Sequence, residues 1–87
     1  MPQHVSARKR VRRNQRRFLV NRMRINRMGS FIRRVEQAIG QGDQKAAKIA
    51  LKAAEPEIMR AASRGAIHQN TAARKVSRLT AGVAAIT

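Results

Sequence analysis

The first third of the chain carries many positive charges and no negative charge. Twelve of the 20 lysine and arginine residues lie within residues 1–34, where there is neither aspartate nor glutamate. A block of one sign repels itself, so it stays compact only when a partner supplies the opposite charge. The whole chain has a formal net charge of +16 and a pI of about 12.0. This pattern excludes a self-contained globular packing of the first third and indicates a polyanionic partner.

Residues 6–39 predict one long helix. Ser6 is a favourable N-cap residue, and neither proline nor glycine follows before Gly29. Projection at 100° per residue places Val11, Phe18 and Ile25 on a narrow apolar stripe, which widens from Met28 onward. A helix of this length spans roughly 50 Å, because each residue rises 1.5 Å. We therefore expect its first half to project beyond the core as a cationic surface.

Two shorter helices are predicted after the long one. Residues 43–64 form an alanine-rich segment with Asp43 as its N-cap, and Pro56 is expected to kink or split it. Residues 70–86 form a third segment, with Asn70 or Thr71 as its N-cap. The apolar face of the second segment comprises Ala47, Leu51, Ala54, Ile58 and Ala61, widened by Ile49, Ala50 and Met59; that of the third comprises Ala72, Val76, Leu79, Val83 and Ile86.

These segments predict an all-α fold in one domain, residues 1–87. The arrangement expected is an antiparallel three-helix bundle with a long, basic, projecting first helix, because short connections favour antiparallel neighbours. The first ~25 residues are expected to be largely disordered without their polyanionic partner, because like charges crowd one another and the narrow apolar stripe has nothing to cover. No homo-oligomer is expected.

The composition excludes most chemistry. The chain has no cysteine, only 2 histidines and 4 carboxylates, so we expect no catalytic residue, no metal site, no cofactor and no small-molecule substrate. Its 2 aromatic residues, both phenylalanine, cannot form a row of rings that holds successive single-stranded bases. No apolar run approaches the ~20 residues of a membrane-spanning helix.

The arginine-rich stretch from Arg8 to Arg27 is the strongest chemical signal. Arginine presents a planar fork of donors that matches pairs of phosphate oxygens, and neutral amides beside it can reach sugars or base edges. This favours nucleic-acid binding, with RNA and DNA not distinguished. The alternatives are a histone-like DNA-compacting protein, an organellar transit peptide and a membrane-surface helix. The stretch contains Arg8, Lys9, Arg10, Arg12, Arg13, Asn14, Arg16, Arg17, Asn21, Arg22, Arg24 and Arg27.

The sequence resembles bacterial small-subunit ribosomal protein twenty over essentially its whole length. The stretch from Gly65 to Lys75, followed by Ser77-Arg78-Leu79, is the most specific part of the resemblance, with its Ile-His pair, its Asn and its Ala-Ala-Arg run. The opening from Ser6 to Asn14, the Phe31–Glu36 stretch and the Gly42-Asp43 turn are also similar. At Val5, Gln69 and Val76 the family commonly has lysine, and Phe18-Leu19-Val20 is more apolar than the family pattern.

The resemblance implies a structural protein that binds 16S ribosomal RNA directly and helps to hold its domains together during assembly. It also implies a place on cytoplasmic ribosomes, with an organellar ribosome left open. The residues that would line RNA along the first helix are Ser6, Arg8, Lys9, Arg10, Arg12, Arg13, Asn14, Arg16, Arg17 and Asn21. Those that would hold a second RNA segment are His68, Asn70, Arg74, Lys75 and Arg78.

Overall fold

The protein consists of three α-helices. The computed structural model describes the backbone of residues 5–86 and the side chains of residues 7–86. Helix α1 spans Val5–Gly40, α2 spans Gln44–Ser63 and α3 spans Gln69–Ala84, and no strand occurs among the described residues. The all-helical fold with a long first helix is therefore confirmed.

Both interhelical turns depend on a glycine in the left-handed region. Gly42 has φ +71° and Gly65 has φ +76°, conformations that side chains with a Cβ rarely adopt. After α1, the amides of Gly42 and Asp43 donate to the carbonyls of Ile39 and Ala38, and after α2 the same pattern recurs. This is a Schellman ending, which pairs carbonyls that the helix leaves open. Each helix therefore stops sharply, and the next one folds back against it.

Three details of the helix boundaries differ from the prediction. Helix α1 begins at Val5, so Ser6 lies inside its first turn and is not the N-cap. Helix α3 begins at Gln69, and its N-cap is His68, whose Nδ1 accepts a hydrogen bond from the amide of Asn70 at 3.0 Å. An imidazole nitrogen can thus take the place of the usual side-chain oxygen, and neither Asn70 nor Thr71 is the cap. Helix α2 continues through Pro56 without a split.

Contacts between the helices give their directions. Arg27 lies 13 residues before the end of α1, and Glu57 lies 13 residues after the start of α2. These two side chains form a salt bridge, so they lie at equal distances from the turn that joins the helices. The two helices therefore run in opposite directions. Ile32 and Glu36 of α1 line a cleft with Lys75 and Arg78 of α3. Seven residues after Ile32 and Lys75, a methyl group at Gly82 would stand 3.0 Å from Cδ1 of Ile39, so α1 and α3 run the same way.

The core is small and rich in alanine. Five of its ten buried residues are alanines, which let the helix backbones approach closely. The face of α2 is narrower than expected, because Ile49 and Met59 are exposed. Val76, where lysine is common in the family, packs against the core. The buried residues are Met28, Val35, Ala38, Ala47, Ala54, Ile58, Ala61, Ala72, Leu79 and Val83.

The core occupies only one end of the molecule. The first buried residue of α1 is Met28, and every residue from Arg8 to Val20 is exposed. The molecule measures 65 × 20 × 16 Å, with a radius of gyration of 17.5 Å. A compact domain of this length has a radius of gyration of about 12 Å. We call residues 8–20 the projecting segment.

Candidate nucleic-acid interface

The projecting segment presents cations on most of its circumference. Because successive helical residues turn by 100°, its charged residues cannot share one face. All of them are exposed, and no acidic residue lies among them. Asn14, also exposed, adds a neutral amide. Ser6 was also predicted to line RNA, but its side chain lies outside the described residues. The charged residues are Arg8, Lys9, Arg10, Arg12, Arg13, Arg16 and Arg17.

One side of the segment forms a groove with the end of α2. Arg64, the C-cap of α2, lines this groove opposite residues of α1. Asn21 and Arg24 are half-buried there, and Arg24 donates a hydrogen bond to Oδ1 of Asn21 at 3.3 Å. Arg64 thus faces the arginines of α1 across this groove. The α1 residues that line the groove are Arg13, Arg16, Arg17, Val20, Asn21 and Arg24.

Farther along α1, an ion-pair cluster lies next to this groove. Nε and Nη2 of Arg27 donate to the two carboxylate oxygens of Glu57 at 3.0 and 3.4 Å. Nη1 of Arg60 donates to the same carboxylate at 2.9 Å. The hydrogen bond from Arg27 is the main cause that lowers the pKa of Glu57 below the ordinary glutamate value, and the charges of both arginines add to it. Arg27, a predicted RNA ligand, is therefore already paired with an acid. Arg22 and Arg27 are both exposed, but Arg22 forms no salt bridge among the described residues.

The second predicted set lies on the bundle. Asn70, Arg74 and Arg78 are exposed, and Lys75 is half-buried. Lys75 and Arg78 line a cleft with Ile32 and Glu36 of α1. His68 is exposed, although its Nδ1 is used by the helix cap. Lys75 and Arg78 therefore lie beside the packed half of α1.

Other classes of site find no support in this geometry. Among residues 5–86, no group of three or more histidine, cysteine or acidic side chains could hold a metal ion. Within the same part of the chain, no helix combines the length and apolar character needed to cross a bilayer.

Comparison with known proteins identifies the family. The sequence model described as "Ribosomal protein S20" matches residues 2–84. The protein named small ribosomal subunit protein bS20 from Methylorubrum extorquens is 56% identical over 86 residues, covering 99% of this chain and 98% of the relative. The chain belongs to the ribosomal protein S20 family. The bS20 proteins of Ruegeria sp. and Sinorhizobium fredii are 52% and 54% identical, over 92% and 99% of this chain and 92% and 98% of their own lengths.

Membership of the S20 family tests two expectations that were drawn from the sequence. The resemblance drawn from the sequence is confirmed over nearly the whole chain. The family consists of structural ribosomal proteins, which confirms that this S20 protein is not an enzyme.

Sequence reasoning missed Arg64, which lines the groove, and Arg60, which belongs to the neighbouring ion-pair cluster. Both lie in a stretch whose charges sum to little, so composition alone gave no reason to select them. Their role depends on the packing of α2 against α1, which brings them beside Arg24. Gly65 indicates that α2 ends at Arg64, but no sequence signal gives the approach of Arg64 to α1.

Proposed function

We propose that this S20-family protein is a structural component of the small ribosomal subunit that binds 16S ribosomal RNA directly through α1. The observation that carries the proposal is the projecting segment, an acid-free helical rod whose seven cations are all exposed. The relatives are named as proteins of the small ribosomal subunit. The protein therefore acts on ribosomes in the bacterial cytoplasm, and its ligand there is a phosphate-rich polymer.

Phosphate contacts supply most of the affinity in this mechanism. Guanidinium groups pair with phosphate oxygens, and the rod follows the RNA backbone along its length. The groove beside Arg64 supports a strand from a second side, because arginines of α1 and α2 face it together. Helical RNA is recognised mainly by its shape and backbone, so the site is selected by the shape of α1, which RNA binding makes rigid and which the bundle holds in one direction.

The set on α3 gives the protein a second RNA contact. Asn70, Arg74 and Arg78 are exposed on α3, outside the projecting segment. One molecule therefore holds two RNA segments at a separation fixed by the bundle. This geometry explains a role in holding RNA domains together during assembly.

The salt dependence of binding tests the proposal. If about eight phosphates are neutralised, the logarithm of the association constant falls against the logarithm of the salt concentration with a slope of about −6 to −7. Filter binding of the full chain to a 16S RNA transcript measures this slope. Arg12→Gln together with Arg16→Gln makes the slope shallower by about 1 to 2. A wild-type slope near −1 contradicts the proposal.

Competition binding separates RNA recognition from DNA compaction. At ~150 mM salt, where non-specific phosphate contacts are weak, folded 16S RNA should displace the protein from duplex DNA of equal nucleotide content. Equal affinities for the two polymers would instead favour the histone-like alternative.

A further inference from the structure

The projecting segment carries an apolar face that phosphate binding does not explain. Val11, Phe18 and Leu19 are 54%, 64% and 57% exposed, and they line one shallow depression together with Asn14 and Gln15. These positions follow the spacing i, i+3, i+4, i+7 and i+8 of a single helix face. We call these five residues the apolar face. An exposed ring here loses contact with water only when something covers it.

The apolar face and the cationic groove lie on opposite sides of α1. The centre of the apolar face, near Val11 and Phe18, is turned by roughly 140° to 180° from Arg13 and Val20, which line the groove. Neither α2 nor α3 lines the depression on the apolar face. Among the described residues, α1 alone lines this depression, so the depression is open to a second molecule.

The charges around the apolar face indicate which kind of molecule docks on it. Arg8 and Arg22 lie one turn before and one turn after the depression on the same side of the helix, and no acid occurs before Glu36. A second copy of this chain would bring two such cationic segments together, which opposes docking. The occupant is therefore strongly anionic and also offers a flat apolar surface.

An unpaired nucleobase has both properties. Paired RNA presents mainly phosphates and hydroxyls on its outside, whereas an unpaired base exposes a flat π-face and a polar edge. Phe18 supplies a ring for the π-face, and the amides of Asn14 and Gln15, on the preceding turn, can pair with the base edge. The other ring of the chain is not open in this way, because the guanidinium carbons of Arg34 and Arg27 lie 4.8 and 5.5 Å from the centroid of Phe31.

We propose that Phe18, flanked by Asn14 and Gln15, receives one unpaired base of the ribosomal RNA while the surrounding arginines hold the backbone. This inference rests on the proposed function and adds a base contact to it. One ring takes one base, so the contact does not require a row of aromatic residues.

Affinity measurements with matched variants test the inference. Phe18→Ala should weaken binding to a 16S RNA transcript at least fivefold, because a base stacked on a ring contributes strongly to affinity. Phe18→Tyr should bind within about twofold of wild type, because it keeps the ring. Ile49→Ala, which removes a side chain that is 65% exposed on α2, is the control and should leave affinity unchanged. The slope against salt should stay the same for Phe18→Ala, because no phosphate contact is lost.

A fluorescence experiment observes the stacking directly. The chain has neither tryptophan nor tyrosine, so Phe18→Trp introduces a single reporter. Its emission should be quenched when 16S RNA is added but not when a fully paired RNA duplex is added, whereas Ile49→Trp should respond to neither. Equal quenching by the duplex and the transcript would overturn the inference.

The possible failures are distinguishable. If wild type does not bind 16S RNA, the proposed function fails. If wild type binds and Phe18→Ala binds equally well, only the base contact fails. Normal RNA affinity of Phe18→Ala combined with its loss from assembled small subunits would assign the apolar face to a neighbouring protein. Reduced binding of Phe18→Ala to anionic lipid vesicles, with RNA affinity unchanged, would assign it to a membrane surface; both results overturn the inference.

Discussion

Glu57 is the acidic residue of α2 that forms a salt bridge to α1. Its side chain is only 12% exposed and binds both Arg27 and Arg60, whose side chains are 63% and 56% exposed. Exposed partners weaken such pairs, so Glu57→Gln should lower the free energy of unfolding by about 0.5 to 1 kcal/mol at pH 7. Urea denaturation of wild type and variant measures the difference.

The same pair should depend on pH. The folded-state pKa of Glu57 is lowered, so its contribution to stability is present above the pKa of the unfolded state and is lost as the pH falls through the folded pKa. The stability difference between wild type and Glu57→Gln should therefore disappear at pH values below the ordinary glutamate range. Glu55→Gln is the control, because Glu55 is exposed and forms no salt bridge within the described residues. A difference that persists unchanged in acid would show that the charge of Glu57 is not its source.

At the level of the helices, two glycines should respond oppositely to the same substitution. Gly29 lies inside α1, where an added Cβ would meet only Nη2 of Arg33 at 3.6 Å, an ordinary contact. Gly65 ends α2 at φ +76°, which alanine adopts with strain. Gly29→Ala should therefore stabilise the protein by about 0.5 to 1 kcal/mol, and Gly65→Ala should destabilise it by about 1 kcal/mol. Thermal unfolding measures both signs; stabilisation by Gly65→Ala would contradict the assigned turn.

Helical periodicity predicted the elements well because the packed helices follow it. The predicted faces of α2 and α3 contain most of the buried residues, including Ala54, Ile58 and Leu79. Periodicity does not report the rotation of each helix relative to its neighbours, which is why Ile49 and Met59 were wrongly included. The approach of Arg64 to α1 could not be derived either, because it depends on how α2 packs against α1. The capping role of His68 was missed because histidine is not among the preferred N-cap residues.

The projecting segment should be the least stable part of α1. Residues 8–20 contact no core, and an isolated helix of this length is marginal in water. In the free protein we expect its amides to exchange within roughly tenfold of the unstructured rate, while those of Val35 and Ile58 open only on global unfolding. Hydrogen exchange followed by NMR measures this, and added 16S RNA should slow the segment selectively. Slow exchange from Arg8 to Val20 in the free protein would refute the expectation.

In the whole molecule, the residues that form the core and the residues proposed to bind RNA lie in different parts along its long axis. All ten buried residues lie from Met28 onward, and all seven cations of the projecting segment lie before it. A change at one end should therefore leave the property of the other end nearly untouched, because distant sites without shared partners act additively.

Substitutions at the two ends should show this separation. Ile58 is fully buried, so Ile58→Val should lower the free energy of unfolding by about 1 kcal/mol and the Tm by about 4 to 8 °C, with less than about twofold change in RNA affinity. Arg12→Gln with Arg16→Gln should weaken RNA binding at least tenfold at low salt. The same double variant should leave the Tm unchanged or slightly higher, because it removes repulsion between exposed like charges. Calorimetry and filter binding on the same preparations measure both properties. A fall in Tm for the arginine variant matching that of Ile58→Val would mean that the projecting segment takes part in the folded core.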